Sequence, residues 1–312
     1  MFEIRRYTPD LEQEWNRFVA DSKNGTFLFD RNYMDYHQQR FTDSSLLFYR
    51  KGKPYALLPA NLQDQTLFSH AGLSYGGLIM SPNTTAAATL TLFEELNTYL
   101  RNVGIDKVIY KSIPSIYHQM AAEEDLYAIF RTCQARLAAR QIGSVIAQNS
   151  EIKWQRMRRR AVRRADEQGI TVAQSDDFAG FWKVLEHNLS SRYGVKPVHD
   201  IEEILLLKSR FPHHIQLYTA TKDGEIWGGV VLYLTPQAAH AQYSATTEQG
   251  KRWGAIDKIY DEIIHRLLTT YRYFDFGIST ERGGTYLNDN LIFQKEGYGA
   301  RGLCWDWYEW NL

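Results

Sequence analysis

Cationic side chains crowd one short stretch near the middle of the chain: Lys153, Arg156, Arg158, Arg159, Arg160, Arg163 and Arg164. At about 3.6 residues per turn, Arg156, Arg160, Arg163 and Arg164 share one helical face, and Trp154, Met157, Ala161 and Ala165 share another that can pack on the body. Such a stripe can bind phosphates, on a nucleic-acid backbone or on a phosphate-bearing substrate. The alternative is a solvated helix between domains that pairs with Glu151, Asp166 and Glu167. Three other segments carry chemistry. The loop Arg192-Tyr193-Gly194-Val195-Lys196-Pro197-Val198-His199 puts cationic and aromatic groups between two helical patterns. Loops of this kind often line sites, but the segment also reads as a plain connection with His199-Asp200 near an N-cap. Thr246–Ala255 lies between a strand and a helix. A helix N-terminus there can receive phosphate through free N–H groups, and an ordinary strand–helix loop fits equally. Finally, the tail runs from the strand Tyr273–Gly277 through the polar gap Thr280–Gly284 to a short helix after Asn288, a glycine turn and the aromatic strand Leu303–Trp310. A strand that ends in glycine and opens into polar residues before a helix builds a cleft.

Other chemistries lack their residues. No HExxH or similar ligand spacing occurs among the histidines and acids, so no metal is expected. Neither a Gly-x-Ser-x-Gly elbow nor a Walker or dinucleotide glycine pattern is present. Cys133 and Cys304 lie far apart, match no metal spacing, and read as small buried hydrophobes of a reducing compartment. The formal net charge is zero, so any polyanion must be held by a local patch and not by a global field. Met1–Tyr7 lacks the apolar run of a signal peptide, and no stretch approaches the ~20 apolar residues of a membrane span. The expected location is the cytoplasm.

The elements that must position these groups follow a plan that occurs twice. The chain of 312 residues favours two domains. In the first half, Phe2–Thr8 reads as a strand and the segment around Trp15, Phe18 and Val19 as a helix. Tyr33–Phe41 is amphipathic, and Leu46–Tyr49 and Pro54–Leu62 form a hairpin. A helix over Thr84–Val103, a strand over Lys107–Tyr110 and further strands within Leu126–Ala147 follow. In the second half, Ile170–Ala173 is a strand, Asp176–Ser191 and Asp200–Phe211 are helices, and Ile215–Thr221 with Ile226–Tyr233 is a hairpin. Ala239–Tyr243, a helix over Ala255–Tyr271 and Tyr273–Phe276 complete it. The reading is α/β with two mixed sheets, residues 1–150 and 151–312, the second domain opening with the basic helix 153–168.

Taken together, Arg160–Gly169, Tyr193–His199, Phe274–Ser279 and Asn288–Arg301 resemble the GNAT superfamily, in the branch of the Fem-type (FemABX) aminoacyltransferases. Trp15, Phe18 and Gly25-Thr26-Phe27-Leu28 fit that branch, as do Asp275-Phe276-Gly277, Asn288, Asn290 and Lys295-Glu296-Gly297-Tyr298-Gly299-Ala300-Arg301. The resemblance implies two tandem GNAT-like domains and transfer of an acyl group from acyl-CoA or aminoacyl-tRNA to an amine, such as that of a cell-wall precursor. It implies no tightly bound cofactor, acyl-CoA being a co-substrate. It places a splay between Ala239–Tyr243 and Tyr273–Phe276, where a backbone N–H polarises the acyl carbonyl. Tyr243, Asp275 and Ser279 are then catalytic candidates, and Ser244 lies beside them. Tyr193, Lys196, His199 and Gly277 are candidates for substrate binding. Lys251, Arg252, Gly254, Ala255 and Asn290 are candidates for the donor. Arg156, Arg160, Arg163 and Arg164 would meet tRNA. Two features depart from the pattern: Lys251-Arg252-Trp253-Gly254-Ala255-Ile256 keeps only the central glycine of the CoA loop, and no inserted helical hairpin is present. A non-catalytic anion-binding protein on a degenerate tandem fold is the competing reading.

Overall fold

Both halves of the chain fold around the same short-range device. Lys51 and Gly52 sit at φ 51° and 72°, and Asp223 and Gly224 at 51° and 82°. Positive φ at both central residues gives a hairpin turn whose twist matches its strands, and glycine adopts it without steric cost. The computed structural model describes residues 1–148, 150, 153–267 and 269–312, and of Arg192 and Tyr193 the backbone alone.

The first half carries β1 (Glu3–Arg6), α1 (Glu12–Asp21), α2 (Arg31–Met34), β2 (Thr42–Asp43), β3 (Leu46–Arg50), β4 (Lys53–Leu58), β5 (Asn61–Gln63), β6 (Thr66–Phe68), β7 (Ile79–Met80), α3 (Ala86–Asn102), β8 (Lys107–Lys111), α4 (Glu124–Thr132) and β9 (Arg136–Ala147). The second carries α5 (Arg156–Glu167), β10 (Thr171–Ser175), α6 (Phe178–Tyr193), α7 (Ile201–Arg210), β11 (Ile215–Lys222), β12 (Glu225–Leu234), β13 (Ala238–Thr246), α8 (Glu248–Trp253), α9 (Ala255–Glu262) and β14 (Tyr273–Ile278). The two-residue strands β15 (Thr280–Glu281) and β16 (Tyr286–Leu287), α10 (Asp289–Glu296) and β17 (Arg301–Asn311) close the chain.

Two units result. The first comprises Met1–Ile142, Glu281–Tyr286 and Cys304–Leu312; the second comprises Gly143–Thr280 and Leu287–Leu303. The division thus falls at Ile142/Gly143, where sequence places it near 150, and the closing strand finishes in the first unit. In that unit β1, β3, β4 and β7 form an antiparallel sheet. A second sheet pairs β6 with β8 in parallel and β8 with the end of β17 antiparallel. A parallel pair needs a crossover, supplied here by α3. Its Leu92, Phe93, Leu96 and Leu100 form one apolar stripe, buried in a core with Phe48, Leu58, Val108, Tyr110 and Trp310. In the second unit β10 to β13 are antiparallel neighbours. β13 then pairs with β14 in parallel, across the helical crossover of α8 and α9. Residues of β9 pair with the far edge of β14. The core holds Val230, Leu232, Ile259, Tyr260, Ile263, Phe274, Phe276 and Tyr298. The plan read twice in the sequence is therefore built twice, each time around one parallel pair.

Several elements differ from expectation. Glu124–Thr132 is a helix and not a strand, because its buried residues Asp125, Ala128 and Ile129 recur at helical spacing. Tyr33–Phe41 splits into α2 and a 3₁₀ segment over Asp35–Arg40, with a kink at His37. The helix expected to reach Tyr271 leaves the α form after Glu262 and continues as a π turn over Ile263–Leu267. Cys133 is buried as expected, whereas Cys304 is exposed. Among the described residues no helix is long and apolar enough to cross a membrane.

One feature of the first unit sets a pH dependence. His37 and His70 are buried with ring centroids 5.9 Å apart. Burial pushes their pKa values down to about 4 and about 3. The unfolded chain takes up protons on both rings near pH 6.5, while the folded chain does so only well below it. As pH falls from about 6.5 towards about 4, the unfolded state therefore binds more protons and stability is lost. Scanning calorimetry across this window should show a falling Tm. The double variant His37→Gln/His70→Gln should show a shallower fall, and an unchanged slope would contradict the assignment.

Candidate functional site

β13 and β14 run side by side for only three residue pairs, Ala238–Tyr273, Ala239–Phe274 and His240–Asp275. Beyond His240 no further pair joins them, so the two strands part. Both strands are irregular here: in β13 the register against β12 shifts at Gln242, between the Ala241–Leu232 and Tyr243–Val231 pairs. Gly277 stands at φ 71°, and the register against β9 shifts between Asp275 and Ile278. Such a bulge bends the strand away from its neighbour. The bulge is held from two sides. Asp275 Oδ1 accepts the Gly277 N–H at 2.8 Å. From α10, the Lys295 ammonium donates to the carbonyls of Gly277 at 2.9 Å and Ile278 at 2.7 Å. Burial lowers the Lys295 pKa to about 8, and the nearby Asp275 carboxylate opposes that shift.

At the point of parting, His240 Nδ1 meets Asp275 Oδ2 at 2.7 Å, with the aspartate side chain fully buried and the histidine 14% exposed. A carboxylate on one ring nitrogen fixes the tautomer and orientation of an imidazole. Gly277 is required here twice, by its positive φ and because a Cβ would come 3.1 Å from His240 Cε1. Ser279 Oγ and Ser144 Oγ are buried with no hydrogen-bond partner among the described residues. Unsatisfied buried hydroxyls are rare, and these two can receive a ligand or a water.

Tyr243 and His199 are brought together as well. The Tyr243 hydroxyl lies 2.5 Å from His199 Nδ1 and accepts the His199 N–H at 3.3 Å. The ring packs edge-on against Trp182 at 5.2 Å. Burial pushes the phenol up to about 12, so Tyr243 serves as a neutral hydrogen-bonding group. The loop that carries His199 is anchored by a capping box, Asp200 bonding the Glu203 N–H and Glu203 bonding the Asp200 N–H. Lys196 is exposed on that loop. The Tyr193 side chain lies outside the described residues.

The expected phosphate loop is not a loop. Glu248–Trp253 is the short helix α8, capped by the Thr247 hydroxyl. Gly254 stands at φ 82°, and a Cβ there would sit 2.5 Å from the Ala161 carbonyl of α5. The glycine is thus required for packing. Its N–H donates to the Gly250 carbonyl as the α8 cap. In the first turn of α9, Asp257 meets Arg158 and Tyr298. Ala255 is fully buried, while Lys251 and Arg252 are exposed, with the Arg252 guanidinium over the Trp253 ring. Among the described residues no side chain caps the N-terminus of α9. Asn290 is exposed on the first turn of α10, and Asn288 caps that helix through the Leu291 N–H.

The basic stretch forms a helix from Arg156 to Glu167, and its inward face differs from expectation. Ala161, Val162 and Ala165 are buried and Met157 is exposed. Arg158 turns inward to Asp257 at 3.2 Å, and Asp166 pairs with Lys258 at 2.7 Å. Arg156, Arg159, Arg160, Arg163 and Arg164 are exposed and form no ion pair among the described residues. Glu151, the other expected partner, lies outside those residues. Arg156, Arg159 and Arg163 line an open groove of about 440 Å³, so Arg159 joins the stripe in place of Arg160 and Arg164.

Two residues of the site escaped sequence reasoning. His240 has no local signal, because its partner lies 35 residues away on a parallel strand. Lys295 belongs to the segment that carries the family resemblance, but its contact with the bulge follows only from the fold. Among the described residues no group of three or more ligating side chains could hold a metal ion.

Comparison with known proteins agrees with this geometry. The acetyltransferase (GNAT) domain family matches residues 153–286. No curated protein sequence matches the chain. Among solved structures, FemX superposes with a TM-score of 0.69 at 11% identity, covering 99% of this chain and 97% of its own. L-PGS from Bacillus licheniformis gives 0.61 at 13% identity, covering 98% and 92%. A tandem GNAT protein from the clavulanic acid biosynthesis pathway gives 0.52 at 12% identity, covering 100% and 98%. Residues 153–286 thus match the acetyltransferase (GNAT) domain family, and the whole chain shares its fold with FemX and with a tandem GNAT protein.

Proposed function

We propose that the second unit transfers an aminoacyl group from aminoacyl-tRNA to the primary amine of an acceptor. The observation that carries the reading is the parting of β13 and β14 with the His240–Asp275 pair at its apex. Alternate backbone groups on the opened edge of β13 have no strand to pair with, and an N–H there can polarise an acyl carbonyl. His240, oriented by Asp275, takes the proton of the attacking amine. The new C–N bond forms, the ester C–O bond to the tRNA ribose breaks, and the proton passes to the leaving ribose oxygen. Ser279 and Tyr243 supply neutral hydrogen bonds, and Lys295 holds the Gly277 bulge in place. We assign the substrate-side candidates His199, Lys196 and Gly277 to the acceptor.

The donor is read from one feature: the groove of Arg156, Arg159 and Arg163 suits a nucleic-acid backbone. The Fem-type resemblance of the sequence makes the amine of a cell-wall precursor the first acceptor to test. Mass spectrometry of the chain with aminoacyl-tRNA or acetyl-CoA and a panel of amines tests the reading. Aminoacyl transfer is expected. Transfer from acetyl-CoA alone would overturn the donor, and transfer from neither would favour the anion-binding protein.

Two variant series bear on the residues. His240→Gln should lower kcat by about 100-fold, with the acceptor KM little changed, if the imidazole moves the proton; a fall below tenfold would remove it from that role. Replacing Arg156, Arg159 and Arg163 by alanine should weaken tRNA binding. It should also reduce the slope of log affinity against log salt by about 2–3. An unchanged slope would place the tRNA elsewhere.

A further inference from the structure

The first unit holds a cavity of its own, of about 230 Å³, lined by Arg31, Asp35, Gln38, Gln39, Asp43 and His70. At roughly 30 Å³ per water, it has the room of a free amino acid or a small amino sugar. Its charges are fixed by one buried cation. The Arg31 guanidinium is 3% exposed, lies 3.6 Å over the Tyr7 ring, and meets Asp35 Oδ1 at 3.0 Å and Asp43 Oδ2 at 2.5 Å. Asp43 Oδ1 is occupied by the Ser45 N–H at 2.8 Å. Among the lining residues one guanidinium is set against two carboxylates, and the Lys111 ammonium beyond the lining also acts on His70. Consistent with that, burial raises the Asp35 pKa, and Asp43 adds to the shift while Arg31 opposes it.

A second, independent feature points the same way. His70 is 4% exposed, lines this cavity, and its Nδ1 finds no hydrogen-bond partner among the described residues. His70 also stands at φ 69°, a left-handed conformation uncommon for a side chain of its size. Strained, unsatisfied groups that persist in a fold cluster at ligand sites. Burial keeps the ring neutral, so one of its nitrogens accepts a hydrogen bond. The lining thus offers a carboxylate and an imidazole acceptor, and the amides of Gln38 and Gln39 can turn an oxygen to a donor. Arg31 is already flanked by two carboxylates and offers little to an anion.

We propose that this cavity binds a small primary-ammonium compound, its cation set against Asp35 Oδ2 and the His70 imidazole. Glycinamide is a suitable probe, with N-acetylglycinamide as its uncharged control, titrated calorimetrically into the full chain. No acyl donor is present, so the outcome is independent of the transfer reaction. Glycinamide should bind saturably with a Kd of about 1 mM or tighter, and N-acetylglycinamide on the order of tenfold more weakly. Asp35→Asn should weaken glycinamide binding by about tenfold. Gln38→Lys, at an exposed rim position, brings a competing ammonium and should abolish binding at this cavity while leaving any acceptor site of the second unit intact. Should Asp35→Asn fail to fold, Gln38→Lys decides the matter. Absence of saturable binding, equal binding of the acetylated control, or undiminished binding to folded Gln38→Lys would each overturn the proposal.

Discussion

The second unit depends on one buried carboxylate. Asp275 is fully enclosed, and its two oxygens serve two elements: one accepts from the Gly277 backbone and the other meets the His240 ring. A charge in that position is tolerated only because it is paired and hydrogen-bonded, and removing a partner from such a pair typically costs about 3–5 kcal/mol. The same two contacts shape the cleft. The bond to Gly277 bends β14 away from β13, and the bond to His240 fixes an imidazole at the point of divergence. Stability and chemistry therefore share a residue, which leaves little freedom to change either alone. Lys295 reinforces the arrangement by satisfying the two carbonyls that the bulge exposes.

The region around α8 and α9 shows how a recognisable glycine can change its role. Gly254 keeps the position of the family loop, yet its conformation and its lack of a Cβ are used to seat α9 against α5. Asp257 then occupies the helix start and ties Arg158 and Tyr298 into the interior. That arrangement turns Arg158 inward and leaves its neighbours exposed. The exposed arginine face is thus a consequence of the packing between α5 and α9.

Much of the fold was legible because its determinants are local. The two hairpins follow from Lys51-Gly52 and Asp223-Gly224, and α3 follows from the spacing of Leu92, Leu96 and Leu100. Gly277 and the polar residues after it pointed to a cleft, and the parting of the two strands was expected only from the family resemblance. α8 was not legible, because Gly250 inside a six-residue helix reads as a loop; the glycine is there because a Cβ would collide with the Trp227 carbonyl at 2.0 Å. Tyr243, Asp275 and Ser279 could be placed at strand ends from the sequence pattern, but His240 could not be paired with Asp275 without the register of a parallel pair. The completion of the first unit by Cys304–Leu312 likewise has no local signal, since it rests on pairing with β8 from distant sequence.

The central claim is that His240 and Asp275 act as one proton-transfer unit at the parting of β13 and β14. The most direct measurement is a double-mutant cycle on the single-turnover rate of transfer, comparing His240→Gln, Asp275→Asn and the combination. Residues that act as a unit are strongly non-additive, so the double variant should be no slower than the slower single variant. Rate losses that simply multiply, each change acting independently of the other, would contradict the account.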